Sequence, residues 1–205
     1  IKSDVRKYWR FGRDYTIALR GFIGKSFGPN KQKFFMGGIP YLLSGGGETN
    51  GLEDDSSFRD VLLDTSNASI IHDIYFTEYA WPLRGARFAE RFGNTTSLFN
   101  FEVRFPFINY LALGFPLKMI FGNIRGHAFM DIGATWNSPK EFNTKIWPSR
   151  YGSKELGNYS PWVTTAGLGT KINLGYFLLK IEMAWDKNPN GYSKPQWYFS
   201  LGPDW

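Results

Sequence analysis

The sequence contains no cysteine and only two histidines, His72 and His127. Without cysteine there is no disulfide scaffold, no thiolate zinc site and no cysteine nucleophile. Two histidines nearly exclude a multi-histidine metal centre and leave few candidates for a histidine-based triad. No window of about 18 apolar residues exists, so no transmembrane helix is encoded. The best apolar run, Tyr110 to Phe121, is broken by Gly114, Pro116 and Lys118. Lys and Arg outnumber Asp and Glu 24 to 18, a formal net charge of +6, but the basic residues are scattered and never form a run of five. That scatter argues against a nucleic-acid partner. The opening Ile1-Lys2-Ser3-Asp4 has neither an initiator methionine nor the apolar core of a signal peptide. It reads as a processed end or as the interior of a longer chain.

What the chain has is rings. Phe 19, Tyr 11 and Trp 8 make up 19% of the 205 residues, while the hydrophobic fraction is 42%. So much ring surface to bury excludes a disordered chain. The length fits one large domain or two small ones.

Alternation of apolar and polar residues with a period of two dominates, the signature of strands. Trp197, Phe199 and Leu201 oppose Gln196, Tyr198 and Ser200. Phe177, Leu179, Ile181, Met183 and Trp185 oppose Leu178, Lys180, Glu182, Ala184 and Asp186. Ala166, Leu168, Ile172 and Leu174 alternate with Thr165, Gly167, Gly169 and Lys171. The same scheme sets Ala128, Met130, Ile132 and Ala134 against His127, Phe129, Asp131 and Gly133. It sets Phe99, Phe101, Val103 and Phe105 against Asn100, Glu102 and Arg104. Near the front Tyr15, Ile17, Leu19 and Ile23 oppose Thr16, Ala18, Arg20 and Phe22, after a shorter strand over about residues 4–11. About seven strands result.

A soluble sandwich would bury the apolar face and wet the polar one. A membrane barrel would turn the apolar face to lipid and line its lumen with the polar one. Three features favour the barrel. Many strands run about 10 residues, as a tilted membrane strand requires, against about 5–6 in soluble proteins. The connections alternate, with tight turns at 11–14 and 174–176 and longer loops at 28–96, 137–161 and 187–195. Outer-membrane barrels alternate short periplasmic turns with long external loops in this way, and 107–123 fits the scheme least well. Finally, the polar face carries Arg20, Glu102, Arg104, Asp131, Lys171, Lys180 and Glu182, which suits a wet or ion-paired lumen. Trp136, Trp162, Trp185 and Trp205 near strand ends suit an interfacial girdle. Seven strands fall short of the even number, eight or more, of a closed bacterial barrel. The expected fold is therefore an all-β, transmembrane antiparallel β-barrel of which these are C-terminal strands. The rest of the barrel would come from upstream sequence or from other chains.

Four local motifs then follow in order. Pro82-Leu83-Arg84-Gly85 sits in the very long loop; Asn100-Phe101-Glu102-Val103-Arg104-Phe105-Pro106 forms the next strand. Phe129-Met130-Asp131-Ile132-Gly133 fits a Phe-x-Asp-x-Gly pattern, and the chain ends Tyr198-Phe199-Ser200-Leu201-Gly202-Pro203-Asp204-Trp205. From about Val5 to Trp205 the chain resembles the C-terminal half of the outer-membrane surface-antigen barrel superfamily. That superfamily includes the barrel-assembly insertase and the two-partner-secretion transporters, and its barrels have sixteen strands. Ala86 stands where the family usually has Tyr or Phe after the Arg-Gly pair; Phe88 is the nearest ring. Residues 33–40, 111–124 and 193–195 resemble a subgroup with a Tol-type β-propeller upstream.

The resemblance implies one unit, residues 1–205, the C-terminal part of a sixteen-stranded barrel whose loop at about 28–96 folds back into the lumen. It implies that Arg84 pairs with Asp131 across the gap between loop and wall, with Gly85, Phe129 and Gly133 flanking the contact. It implies a terminal assembly signal made of Trp197, Phe199, Leu201 and the last residue, Trp205. The setting would be the outer membrane of a Gram-negative bacterium, with the lipid bilayer and other outer-membrane or periplasmic proteins as partners. The work would be inserting or translocating polypeptide, with no enzymatic activity, cofactor or metal. One alternative is a non-transporting anchor or scaffold barrel for an upstream periplasmic domain or a larger complex. Another is an enzyme whose hydrolase lies upstream, since some family members carry a lipase before the barrel.

The chemistry of the pair can be stated from the residues. A loop of roughly 65 residues is far longer than most connections and calls for an internal purpose. Arg84 offers five donors in a planar fork and Asp131 two acceptor oxygens. Glu102 is a second candidate partner, and the plainest alternative leaves Arg84 on a surface loop without one. Breaking such a pair costs about 3–5 kcal/mol if it is buried and far less in water. Other signals carry less. Gly24-Lys25-Ser26 lacks the upstream glycine of a phosphate-binding loop, since position 19 is Leu19. The acidic stretch Glu53 to Asp64 fits no calcium-loop spacing and reads as solvated loop. His72-Asp73 has no accompanying nucleophile.

Overall fold

The computed structural model describes residues 1–39, 42–45, 77–80, 82–86, 91–108, 124–143, 161–174, 176–188, 191–192 and 195–202. In chain order the strands begin with β1 (Lys2–Phe11) and β2 (Tyr15–Lys25). Four short ones follow: β3 (Phe34–Met36), β4 (Leu42–Gly45), β5 (Glu78–Ala80) and β6 (Arg91–Gly93). Then come the long β7 (Thr95–Ile108), β8 (Ile124–Trp136), β9 (Trp162–Asn173) and β10 (Leu178–Asn188), the two-residue β11 (Gly191–Tyr192) and β12 (Gln196–Gly202). Among the described residues the structure is all-β apart from a 3-10 turn at Pro139–Asn143.

The seven strands read from the alternation form one antiparallel sheet in the order β1-β2-β7-β8-β9-β10-β12. Each long strand pairs with its neighbour in sequence, except that β7 takes the place beside β2 after the long insertion. The lengths of 14, 13 and 12 residues for β7, β8 and β9 suit a tilted membrane crossing. Among the described residues the sheet is open: β1 forms one edge, and at the other β12 carries β4.

The two faces differ as the alternation requires. Ile23, Phe99, Met130, Leu168, Trp197 and Phe199 lie on the outer face and are exposed. Such a band of large apolar side chains on one face belongs against lipid. Trp136 and Trp162 both pack edge-on against Phe142 of the 3-10 turn, with centroids 5.0 and 5.6 Å apart, an aromatic cluster at one rim. Trp185 is half-buried near the end of β10, and Trp205 lies outside the described residues.

The other face holds the insertion. β3 pairs in parallel with β5 and antiparallel with β6, making a small three-stranded sheet. Gly38 and Leu83 then bridge through reciprocal backbone hydrogen bonds of 3.1 and 3.0 Å. The insertion contributes Met36, Ala80, Leu83 and Ala86 to a buried cluster with Phe22, Leu98 and Val163 of the wall. Gly133 is part of that fit: a Cβ there would strike the Met36 side chain. The inner face is thus packed as well as charged, where the sequence allowed a wet or an ion-paired lining. The acidic stretch Glu53 to Asp64, His72-Asp73 and Phe88 lie outside the described residues.

Candidate loop-anchoring site

Residues 82–86 form a tight turn set against β7, β8, β9 and β10. The Gly38–Leu83 bridge fixes its start, and Pro82 accepts a 2.8 Å hydrogen bond from Asn100 Nδ2. Gly85 has φ +88°, a conformation that strains any residue bearing a Cβ. A Cβ at Gly85 would also sit 3.1 Å from Ala184 and 3.3 Å from Thr165. Glycine lets the turn reach the wall, and the wall there is lined by small residues.

Arg84 is 1% exposed and donates from four nitrogens. Nε and Nη2 grip Asp131 as a fork, at 2.8 Å to Oδ2 and 2.9 Å to Oδ1. The Arg84 backbone N–H adds a third bond to Oδ2, at 3.1 Å. Nη1 reaches Glu102 at 2.9 Å and Glu182 at 3.1 Å. The Arg84 Cζ lies over the Phe129 ring, 3.6 Å from its centroid, close enough for cation–π attraction. Burial pushes the guanidinium pKa down, but Asp131, Glu182 and Glu102 outweigh it and hold it above the ordinary arginine value. The side chain is a permanent cation in this setting.

The carboxylates are themselves shared. Glu102 Oε1 accepts from Arg104 Nε at 2.7 Å and from Lys171 Nζ. Glu182 Oε1 also meets His127 Nε2 at 2.9 Å, and Asp131 Oδ1 takes Asn100 Nδ2 at 2.8 Å. Three carboxylates therefore face three basic side chains, Arg84, Lys171 and Arg104, inside one hydrogen-bonded network. A charge cluster this buried is tolerable only because the signs match and the bonds are made.

Arg84, Gly85, Asp131, Phe129, Gly133 and Glu102, singled out in the sequence, all lie around this turn. Gly133 lies two residues along β8 from Asp131, where a Cβ would meet Met36 and Leu98. Alternation places Glu182, Lys171 and Arg104 on the inner face without naming their partners, and Asn100 lies in the motif before Pro106 with no role evident from sequence. The Tyr198 hydroxyl accepts from the Gly85 N–H at 3.0 Å and donates to Gln196 Oε1 at 2.8 Å. Their parity was readable; their height on the wall was not. Trp197, Phe199 and Leu201 lie on the outer face of β12, away from the turn.

No curated protein matches the chain. The model of the Omp85 superfamily domain matches residues 3–205, nearly the whole of it. This superfamily is characteristically one of bacterial outer-membrane proteins that insert or translocate polypeptide in concert with partner proteins. A seven-stranded antiparallel sheet with an apolar outer face, an ion-paired inner face and an inserted Arg-Gly turn agrees with that match, and the chain belongs to the Omp85 superfamily.

Proposed function

We propose that this chain is the C-terminal part of an outer-membrane barrel that inserts or translocates polypeptide, and that its long loop is latched inside the lumen by Arg84. The carrying observation is the bonding of one fully buried guanidinium to carboxylates from three separate wall strands, β7, β8 and β10. A loop held this way fills part of the lumen, because its Met36, Leu83 and Ala86 pack against Phe22, Leu98 and Val163 of the wall. The latch residues are Arg84, Gly85, Phe129, Asp131, Gly133 and Glu102, with Glu182 as a third acid. Residues 1–205 act as one unit whose open sheet is completed by further strands. Trp197, Phe199, Leu201 and Trp205 serve as the terminal assembly signal. The protein works in the bacterial outer membrane, without enzymatic activity.

Planar-bilayer recordings of the full-length protein test this reading. The wild type is expected to conduct ions, and Arg84→Ala is expected to change the size or lifetime of the openings. A silent wild type, together with unaltered outer-membrane protein levels after depletion, would exclude a transport role.

A further inference from the structure

The inner face of the wall is divided by charge along the strands. The register aligns the inner-facing residues of β7, β8, β9 and β10 in successive rows. One row holds Asp131 and Asp186, and the next holds Glu102. The row after that mixes Arg104 with Glu182. The row nearest the tight turn between β9 and β10 is basic throughout, with Arg125 opposite Lys171 and Lys171 opposite Lys180. One step further toward that turn, the inner positions Asn173 and Leu178 bring no acid.

Three cations thus stand side by side on three neighbouring strands. Directly opposed side chains are about 5 Å apart at Cβ, and like charges so placed repel. Lys171 is drawn to Glu102 within the anchoring network. Arg125 is exposed and makes no ion pair among the described residues, and Lys180 is half-buried. The apolar contacts of the insertion engage the rows of Leu98 and Phe129, on the acidic side of this gradient.

We propose that Arg125, Lys171 and Lys180 form a docking strip for acidic polypeptide at the turn end of the lumen. Carboxylates laid across the row relieve its internal repulsion, and the exposed guanidinium of Arg125 offers them a fork. The strip spans two strand spacings, about 10 Å, and an extended segment carries same-face side chains about 7 Å apart. Two acids at alternate positions of such a segment therefore fall within it. The strip lies on the face turned away from lipid, so its partner comes from the aqueous side. The inference rests on the reading of this face as the lumen of a polypeptide-handling barrel, and adds the chemistry of the segment it favours.

The test uses the full-length protein in lipid nanodiscs and a fluorescent peptide of alternating Glu and Ser, with a Gln and Ser peptide as neutral probe. Anisotropy titration is expected to show binding of the acidic peptide alone, weakening as salt is raised. Arg125→Gln combined with Lys180→Gln is expected to raise its Kd at least tenfold. The unfolding midpoint of this double variant in detergent is expected to hold or rise, because a repulsion has been removed. A lowered midpoint would show that these charges serve internal pairing and would overturn the strip. A double variant that binds like the wild type would overturn it as well. Inorganic phosphate that displaces the peptide at equal concentration would mark a small-anion site and refute a polypeptide partner. Conductance that responds to Arg84→Ala in a protein that binds neither peptide would leave the latch standing and refute only the strip.

Discussion

Arg84 is held through its backbone amide as well as its side chain, and this makes the two partners of the pair unequal. Truncating Arg84 leaves three acids facing two cations in a buried cluster, which is expected to cost about 3–5 kcal/mol. The loss would be measured by denaturant unfolding of the full-length protein in detergent, followed by tryptophan fluorescence. Arg84→Lys is expected to recover only a minor part, because an ammonium cannot serve Asp131 as a fork while also reaching Glu102 and Glu182. Asp131→Ala is expected to be the worse of the two truncations. It removes the acceptor of the Arg84 amide, of the fork and of Asn100 at once. An Asp131→Ala variant as stable as Arg84→Ala would contradict that ordering. Gly85→Ala combines a left-handed backbone, costing about 1–2 kcal/mol, with a wall only 3.1 Å away. It is expected to weaken loop docking without touching any charge, visible as faster protease cleavage of the loop in intact vesicles.

At the scale of the strand, the outer face decides where the protein resides. Met130 lies on the outer face of β8, directly across from Phe101 on β7. Met130→Arg is expected to cost about 2–4 kcal/mol if this band lies near the bilayer midplane. Folding into vesicles and the unfolding midpoint would report the loss, and an unaffected variant would argue against lipid on this face. The faces were legible in the sequence because parity alone assigns them: Phe99, Met130 and Leu168 outward, Asn100, Asp131 and Glu182 inward. Height was not legible. Glu182 reaches Arg84 because it stands opposite Gly169 and Tyr198, a register set by the turn at 174–177 and by how β12 returns. Asn100 meets Asp131 for the same kind of reason, being its direct partner in the β7–β8 ladder. Alternation carries no information about either offset. The three-residue strands of the insertion were invisible for another reason: three residues are too few to establish a period.

For the whole molecule, chain order and network membership do not divide the wall in the same way. The acids that bind Arg84 come from β7, β8 and β10, all after the insertion, and the Gly85 partner Tyr198 is on β12. β1 and β2 contribute their own inner pair, in which Arg20 forks onto Asp4 at 3.0 and 2.9 Å, along with Phe22 in the buried cluster. Strands β7 to β12 are joined mostly to their chain neighbours, whereas pairing β2 with β7 must close a loop of about 70 residues, at an entropic cost of about 4 kcal/mol. Contacts near in sequence form faster than distant ones. The hydrogen-bond partners of Arg84 and Gly85 therefore all come from the C-terminal meander and do not need the β2–β7 pairing. Once docked, the turn shortens the chain that the β2–β7 pairing still has to close. The insertion is then expected to work during assembly as an internal template, and pulse-labelled refolding should show the β7–β8 and β9–β10 ladders protected before the β2–β7 ladder.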